Sequence, residues 1–502
     1  MTQDEALAIL KTGVNVFLTG QAGSGKTHTL NRYIAYLRAH KVGVAVTAST
    51  GIAATHMEGR TIHSWAGIGI KDRMTDTDLR KLFNIERLNE QFRKTDVLVI
   101  DEVSMLHSYR LDLVEQVCRI MKGSIAPFGG MQIVLSGDFF QLPPVTRGDD
   151  PAKYFAFKAG SWRGMDVRAC YLSEQHRQSD PAYLSMLNDI RNSTGTERTL
   201  GVLRPRYQAS LEGKPYTRLY THNLDVDAIN KFELGSLAEE PRAFRMQAIG
   251  DAKLVKALKK DCLAPEELIL KEDATVMFVK NNFDRGYVNG TLGTVHSFDK
   301  GGMPMVRTKK GTDIVALPES WRYEEDGVVR AEISQVPLRL AWAITVHKSQ
   351  GMSLDAAEID LSKAFEPGMG YVALSRVRSL NGLRLMGVND VTFRVSEEVL
   401  ALDKELRDAS WKESSRIRAL SPVELQKLHD SFIAALARSS SAKACSGADI
   451  RRAHENAYAP WTPEEDELLR SERGSGALPS ALAKLFGRNK GAIRSRLKKL
   501  GL

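Results

Sequence analysis

The sequence predicts an α/β protein with two domains of parallel strands covered by helices, a small all-β segment inside the second domain and a three-helix module at the end. Three observations predict this fold class. Short apolar strands alternate with helical stretches, a glycine-rich turn joins an early strand to a helix, and a Ser/Ala-rich stretch from Arg438 to Gly447 separates off the last segment. The 502 residues are also too many for one hydrophobic core.

The overall composition is that of a globular protein, with 43% hydrophobic and 26% charged residues. No apolar run is long enough to cross a bilayer, so we expect no membrane role. The first residues, Met1 to Glu5, do not resemble a targeting segment, and we expect a cytoplasmic protein. The net charge of +9 favours a polyanionic partner. The four cysteines occur singly, which argues against a zinc site.

The first domain is expected over residues 1–175, with a small insert at about 66–95. Its strands are indicated by short apolar segments separated by helical or turn-rich stretches, which is typical of parallel strands covered on both faces. These runs are Val14 to Leu18, Gly43 to Thr47, Val97 to Ile100 and Ile133 to Leu135.

The second domain is expected over residues 176–274 and 338–400. Its strands are predicted at Thr217 to Tyr220, Leu338 to Ala343 and Leu383 to Leu385. Between its two parts, residues 275–337 change character, because short alternating strands are separated by Asn-Gly, Gly-Gly and Lys-Gly turns. A small β-barrel is therefore expected there, with strands at Ala274 to Val279, Gly293 to Phe298, Met305 to Thr308 and Asp313 to Ala316.

A phosphate-binding motif lies between the first strand and a helix that begins at about Lys26. It runs from Gly20 through Gly23, Ser24 and Gly25 to Lys26 and Thr27 as G-x-x-x-x-G-K-T. Backbone N–H groups of such a loop surround phosphates, the lysine reaches the β and γ phosphates, and the threonine coordinates Mg²⁺. The alternative is a glycine-rich turn that arises by chance, but the flanking strand and helix favour a site for ATP and Mg²⁺.

Two further motifs complete the predicted nucleotide site. Asp101 and Glu102 follow a buried strand, where Asp101 can hold Mg²⁺ and Glu102 can orient or deprotonate the attacking water. An Asp-Glu pair at a strand end is usually just solvated, so this motif depends on Lys26. Gln141, in the stretch Ser136 to Pro144, is a candidate sensor of the γ-phosphate, although it could equally be a solvated residue where a strand ends.

Over about residues 1–400 the chain resembles superfamily-one helicases of the petite-integration-frequency (Pif) type. The resemblance is specific, because many short motifs occur in one order. The motifs are Gly20 to Thr27, Thr47 to Ala54, Thr61 to Ser64, Asp101 to Met105, Gly137 to Val145, Leu172 to Gln178, Tyr287 to Thr291, Thr345 to Gly351 and Tyr371 to Arg376.

This resemblance implies an ATP-dependent DNA helicase with two RecA-like domains and an SH3-like barrel, which moves 5′-to-3′ on single-stranded DNA. It implies that Arg177 and Arg376 bring positive charge from the second domain to ATP, where such residues are worth ~10³ to 10⁵ in rate. Gln3 corresponds by position to the residue that reads adenine, and Gln350 and Gly351 belong to the nucleotide site. The processes that the family implies are DNA repair, recombination and telomere maintenance.

The resemblance also implies a track for single-stranded DNA. Its residues would be Thr50, His63, Thr345, His347 and Lys348. A lone histidine such as His63 can equally be a packing residue. The expected partners are single-stranded DNA and duplex or G-quadruplex junctions, and we expect a monomer.

The segment from Asp180 to Arg191 resembles one that distinguishes this family from its relatives. The chain departs from the pattern immediately afterwards, because Asn192-Ser193 stands where a glycine commonly follows the arginine. The expected change is in the geometry of this loop and not in the motor.

After a helical segment and linker at residues 401–458, a three-helix module is expected over 459–502. Thr462-Pro463-Glu464-Glu465 is typical of a helix start, and further helices are predicted at Ser480 to Phe486 and Lys490 to Leu500. Trp461 and Leu468 are the expected core. The module resembles Myb or helix-turn-helix units, so Arg494 and Arg496 are candidate DNA contacts. The alternative is a module that docks on proteins.

Two other functions remain open at this stage. One is a P-loop remodelling ATPase that never separates strands, and the other is a sequence-specific regulator that acts through the C-terminal module. The two arginines and the Thr345 to Gly351 motif argue against the first. The sequence does not specify which DNA structure is preferred.

Overall fold

The computed structural model describes residues 1–69, 71–144, 146, 154–176, 178, 180–194, 196–211, 216–282, 284–287, 289–308, 311–325, 328–442, 461–474, 482–483, 485–488 and 490–500. The chain forms two compact units, Met1–Phe432 and Ile433–Leu502. The first unit contains both parallel sheets and the antiparallel segment.

The first parallel sheet has six strands in the order β3-β2-β4-β5-β1-β6. In chain order they are β1 (Val16–Gly20), β2 (Val44–Ala48), β3 (Arg60–Thr61), β4 (Val97–Asp101), β5 (Gln132–Ser136) and β6 (Arg168–Leu172). The helices are α1 (Gln3–Leu10), α2 (Lys26–Ala39), α3 (Gly51–His56), α4 (Ile62–Trp65), α5 (Asp76–Phe83), α6 (Glu86–Lys94), α7 (Ser108–Lys122) and α8 (Gly160–Gly164). Strands β1, β4 and β5 are wholly buried, as expected of strands with helices on both faces.

The four strands predicted for the first domain are all present, with ends shifted by one or two residues. β3 and β6, at the two edges of the sheet, were not predicted. Because β1, β4 and β5 are parallel neighbours, their carboxyl ends meet at one edge and bring Gly20, Asp101 and Ser136 together.

The second parallel sheet has four strands in the order β18-β7-β19-β20. They are β7 (Thr217–Tyr220), β18 (Ala343–Thr345), β19 (Ala357–Leu361) and β20 (Leu383–Val388). The helices that follow the first domain are α9 (Pro181–Arg191), α10 (Thr196–Leu203), α11 (Asn223–Ser236), α12 (Ala252–Asp261), α13 (Met369–Ser375), α14 (Glu397–Arg418) and α15 (Pro422–Ala442).

The antiparallel segment between β7 and β18 is longer than the expected 275–337. Its strands form three sheets, β14-β13-β12-β11-β17, β15-β16-β9 and β10-β8. They are β8 (Arg242–Arg245), β9 (Gln247–Gly250), β10 (Glu267–Leu270), β11 (Thr275–Phe278), β12 (Leu292–Phe298), β13 (Pro304–Thr308), β14 (Asp313–Val315), β15 (Glu319–Glu325), β16 (Val328–Gln335) and β17 (Leu338–Leu340).

The apolar run Leu338 to Ala343, predicted as one strand of the second parallel sheet, serves two sheets. Its first part is β17, which pairs antiparallel with β11 inside the insert. The chain then crosses over at Trp342, and β18 pairs parallel with β7. Periodicity does not detect such a division, because the two strands follow each other with no turn residues between them.

Helix α14 closes the outer edge of the first sheet. β6 pairs on one side with β1, and on its other side α14 packs along it. The N–H of Tyr171 donates to the Ser410 hydroxyl at 2.9 Å, which satisfies a backbone group that an edge strand would otherwise expose.

The second unit contains α16 (Pro463–Gly474) and α17 (Lys490–Leu500), so two of the three predicted helices are present. The helix predicted at Ser480 to Phe486 lies partly outside the described residues. The small core consists of Leu469, Leu482, Ala483, Phe486, Ile493 and Leu497, with Trp461 and Leu500 packed against it. The expectation of Leu468 in this core is wrong: it is 46% exposed, because Leu469 is the residue whose position on the helix faces inward.

Among the described residues, no helix combines the length and apolar character needed to span a membrane.

Candidate nucleotide and nucleic-acid site

A pocket of about 560 Å³ opens at the seam between the two parallel domains. Residues of the phosphate-binding loop and of the second domain line it together. The lining residues are Ala22, Gly23, Gly25, Lys26, Thr27, His28, Glu102, Gln141, His176, Gly351, Ser353, Arg376 and Arg378. The first six of these belong to the loop between β1 and α2 or to the first turn of α2, and the last four come from the second domain.

The phosphate-binding loop requires glycine at defined positions. Gly23 and Gly25 have φ of +89° and +87°, a backbone conformation that favours glycine. A Cβ on Gly25 would lie 2.2 Å from the Gln3 amide nitrogen, so the end of the Gln3 side chain would have to move to make room for it. Gln3, the first residue of α1, donates to the Ser24 carbonyl at 3.3 Å and thus supports the loop from behind.

Lys26 begins α2 and its ammonium group turns back over the loop. Nζ donates to the carbonyls of Gly20 at 2.8 Å and Gln21 at 3.1 Å. Burial lowers the pKa of Lys26, and the carboxylates of Asp138 and Glu102 oppose this effect. The lysine lies at the N-terminus of a helix, and this end of a helix is a favourable position for polyphosphate.

Asp101 and Glu102 lie at the carboxyl end of β4. Asp101 is buried and its carboxylate accepts from the N–H of Glu102 at 2.9 Å. Glu102 has φ of +50°, a strained conformation that aims its side chain at the pocket. Burial raises the pKa of both carboxyls, and the charge of Asp101 raises that of Glu102 further. A raised pKa suits a group that takes a proton from water.

Several buried side-chain atoms near this edge have no hydrogen-bond partner among the described residues, and they include Ser24 Oγ, Gln141 Oε1 and Gln350 Oε1. Gln350 reaches from the second domain and its amide donates to Glu102 at 3.4 Å. Because buried polar groups are normally paired and Gln141 lines the pocket, its unpaired oxygen indicates a polar ligand there. The hydroxyl of Thr27 and the carboxylate of Asp101 are the oxygen donors that Mg²⁺ prefers, so the residues fit this ion.

Of the two predicted arginines, Arg376 reaches the seam. It follows α13 directly, is 2% exposed and lines the pocket, where its charge favours the ionised form of Glu102. Its guanidinium donates to the Val372 carbonyl at 3.0 Å and to the Ser375 hydroxyl at 2.9 Å. Arg177 lies outside the described residues.

Arg378 also lines the pocket, and the sequence did not single it out. Its guanidinium pairs with Asp355 at 2.8 Å while remaining largely exposed. Its place two residues after Arg376 is the only sequence signal that could have pointed to it.

On the first domain, the predicted track residues Thr50 and His63 lie beside the carboxyl end of β2. The Thr50 hydroxyl accepts from the N–H of Ala53 at 3.3 Å. The Nε2 of His63 lies 2.9 Å from the Arg110 guanidinium. Burial and the charge of Arg110 lower the pKa of His63 to about 4, so the ring is neutral at physiological pH and accepts a hydrogen bond from Arg110.

On the second domain, Thr345, His347 and Lys348 lie together just after β18. The Thr345 hydroxyl accepts from the N–H of Lys348 at 3.4 Å, and His347 Nε2 lies 3.5 Å from the Glu366 carboxylate. Burial and the charge of Arg339 lower the pKa of Lys348 to about 8. The aromatic ring of Phe365, 55% exposed, lies 6.2 Å from the ring of His347, and the sequence did not single it out.

In the C-terminal unit, Arg496 is engaged within its own module. Its Nε donates to Asp466 at 2.7 Å, and its guanidinium lies 5.7 Å from the centre of the Trp461 ring. The side chain of Arg494 lies outside the described part of the chain.

Comparisons with known proteins identify the family. A family model described as PIF1-like helicase matches residues 4–194, and one described as DNA helicase Pif1, 2B domain, matches residues 253–298 within the antiparallel segment. The protein named ATP-dependent DNA helicase Pif1 from Psychrobacter is 44% identical over 87% of this chain and 75% of its own length. The protein of that name from Xenopus laevis is 38% identical over 79% of this chain, which spans 63% of that relative.

Solved structures match as well. A crystal structure of Pif1 helicase from Candida albicans has a TM-score of 0.75 at 33% identity and covers 80% of this chain and 98% of its own. A Bacteroides Pif1 in complex with ADP-AlF3 and single-stranded DNA has a TM-score of 0.68 at 32% identity, covering 81% of this chain and 96% of its own. With two parallel sheets flanked by helices, as in tandem RecA-like domains, and with these relatives along most of its length, the chain belongs to the Pif1-like helicase family.

Proposed function

We propose that this chain is an ATP-dependent DNA helicase that moves 5′-to-3′ along single-stranded DNA and separates duplex or structured DNA. The observation that carries the proposal is the seam pocket, with Lys26 and Glu102 on one domain and Arg376 on the other. The names of the Psychrobacter and Xenopus relatives support ATP-dependent unwinding, and the Bacteroides complex supports a single-stranded DNA partner.

In the first chemical step, Lys26 and the loop amides hold the phosphates, and Glu102 orients and deprotonates the attacking water. Mg²⁺, held by Thr27 and Asp101, would neutralise charge on the phosphates when bound. Arg376 stabilises the negative charge that develops on the transferred group. Gln141 and Gln350, with their unpaired amide oxygens, are positioned to respond to the lytic water or to the bound nucleotide.

Movement follows from the two-domain construction of the site. Lys26 and Arg376 belong to different domains and both contact the nucleotide in this proposal. Nucleotide binding therefore favours closure of the two domains on each other, and hydrolysis allows them to separate again. Thr50 and His63 on one domain, and Thr345, His347 and Lys348 on the other, form the proposed grips on the strand. Alternating grip converts the ATP cycle into steps.

We assign the substrate as single-stranded DNA next to a duplex or G-quadruplex junction and the working form as a monomer. The bacterial relatives support a place of action in the cytoplasm or nucleoid. Gln3, which supports the phosphate-binding loop, is assigned to the adenine side of the nucleotide, and Arg177 is assigned with Arg376 to the phosphate side.

Strand separation on tailed duplexes tests the function. The full chain with ATP should unwind a duplex with a 5′ single-stranded tail and leave the matching 3′-tailed duplex intact. Single-stranded DNA should also accelerate ATP hydrolysis, and Lys26→Ala should abolish hydrolysis without unfolding the protein. Lys41→Ala, an exposed lysine after α2 and away from the pocket, is the matched control and should behave as the wild type.

The outcomes separate the candidate functions. If single-stranded DNA did not change the rate of ATP hydrolysis, the remodelling ATPase would be favoured and the helicase hypothesis refuted. Unwinding of the 3′-tailed duplex alone would refute the direction and leave the motor in place.

A further inference from the structure

Arg376, the arginine finger of the proposed mechanism, directly follows α13, which is here called the finger helix. This helix is hydrogen-bonded to the first parallel domain. α13 belongs to the second parallel domain, yet its first turn abuts the first. Gly368 precedes α13 with φ of +87°, and a Cβ there would lie 2.7 Å from the Phe140 carbonyl. The helix thus begins against the segment that carries Gln141 and ends at Arg376 in the seam pocket.

One side chain of α13 bonds the phosphate-binding loop itself. The Tyr371 hydroxyl accepts from the N–H of Ala22 at 3.0 Å and from Arg191 Nη1 at 3.3 Å, and donates to Asp138 Oδ2 at 3.3 Å. A hydroxyl has one hydrogen to donate and two lone pairs to accept, so its hydrogen-bonding capacity is filled. Burial raises the pKa of Tyr371 to about 12, which keeps this hydrogen in place at physiological pH.

Arg191 locks the tyrosine in this position. The arginine ends α9, is 1% exposed and lies over the ring of Phe140 at 3.9 Å. Its Nη1 donates to both oxygens of Asp138, at 2.7 and 2.8 Å, and its Nη2 donates to the Tyr171 hydroxyl at 2.9 Å. The two terminal nitrogens of this buried guanidinium are thus both hydrogen-bonded, whereas its Nε has no partner among the described residues, and the paired nitrogens favour a single geometry.

We propose that Tyr371 is a positioning residue for ATP hydrolysis: it ties the finger helix to the phosphate-binding loop and thereby holds Arg376 at the nucleotide. It acts through Arg376 and touches no reacting atom. This inference rests on the proposed role of Arg376. Since the tie consists of one hydroxyl, Tyr371→Phe removes it while keeping the ring and its packing.

The test compares the steady-state ATPase of the full chain, at saturating single-stranded DNA, across five proteins: the wild type, Tyr371→Phe, Arg376→Ala, the double variant and a control. Tyr371→Phe should lower kcat by about two- to tenfold, the effect expected of one hydrogen bond. The Kd of a fluorescent ADP analogue should stay unchanged, because the finger acts on the transition state. In an Arg376→Ala background, which should itself be slow, Tyr371→Phe should cause no further fall.

Tyr33→Phe is the matched control, because this buried hydroxyl bonds Gln132 at 2.6 Å far from the seam. It should lower the midpoint of thermal unfolding, because a buried hydrogen bond is lost, and leave kcat unchanged. Equal kcat values for the two variants would overturn the inference. So would an additive loss in the double variant, because Tyr371 would then act independently of Arg376. A normal rate for Arg376→Ala alone would overturn the finger assignment and this inference together, whereas a slow Arg376→Ala beside a normal Tyr371→Phe overturns only the inference.

Discussion

Lys348 should make the affinity for single-stranded DNA fall as the pH rises through about 8. Its pKa is lowered to about 8 by burial and by Arg339, and Asp227 only partly opposes this. The amine is therefore roughly nine-tenths charged at pH 7 and roughly one-tenth charged at pH 9. A phosphate contact requires the charged form, so binding at the higher pH must take up a proton.

The magnitude follows from these fractions. Between pH 7 and pH 9 the association constant should fall by about tenfold at constant salt. The slope of log K against log salt should stay nearly unchanged, because the bound lysine is charged and neutralises its phosphate at both pH values. Fluorescence anisotropy of a labelled oligonucleotide, titrated at several salt concentrations at each pH, measures both quantities.

Lys348→Arg is the matched variant, because a guanidinium stays charged over this range. It should bind at pH 9 nearly as well as at pH 7. If this variant lost affinity to the same extent as the wild type, another group would be responsible and the reasoning about Lys348 would be refuted.

The remaining predictions concern the catalytic base, a loop and the C-terminal module. Glu102→Gln should lower the DNA-stimulated kcat by a factor of about 10² to 10⁴ with nucleotide binding retained, and a variant rate within twofold of wild type would exclude Glu102 as the base. The rate of the wild type should fall as the pH drops through the raised pKa of Glu102, because the protonated carboxyl cannot accept a proton from water. Ser193→Gly should raise the free energy of unfolding by about 0.5 to 1 kcal/mol, because Ser193 has φ of +52°; urea denaturation measures this, and a loss of stability would contradict it. Removing residues 459–502 should preserve unwinding of 5′-tailed duplexes in the strand-separation assay and alter site preference, whereas complete loss of unwinding would favour a regulator that acts through the module.

The chemistry of the nucleotide site was largely predictable from the sequence. The loop from Gly20 to Thr27 and the pair Asp101-Glu102 each follow a strand whose apolar run is unmistakable, and parallel strands bring their carboxyl ends together. Two-domain architecture also follows from such runs. Ser193, in the pair that stands where a glycine commonly follows the arginine, has a left-handed backbone with φ of +52°, a conformation that favours glycine.

Other features depend on contacts between distant parts of the chain, which periodicity does not record. β3 has only two residues, which is too few for a periodic pattern, and β6 was missed although four of its five residues are buried. The insert starts earlier than its turns indicate, since β8 and β9 are mostly exposed. The hydrogen bond between the Ala22 N–H and the Tyr371 hydroxyl joins residues that are 349 positions apart. No local sequence pattern around either residue predicts this contact.

The closure of the β6 edge by Ser410 has a consequence for how the protein folds as it is made. The hydroxyl that receives the Tyr171 amide is encoded 239 residues later. At about 5 to 20 residues per second, a ribosome would need roughly 12 to 48 s to supply it after β6 has emerged. During that interval the nascent first domain would present an open strand edge, so the early folding intermediate is the state most exposed to aggregation and the one in which a chaperone would have most to protect.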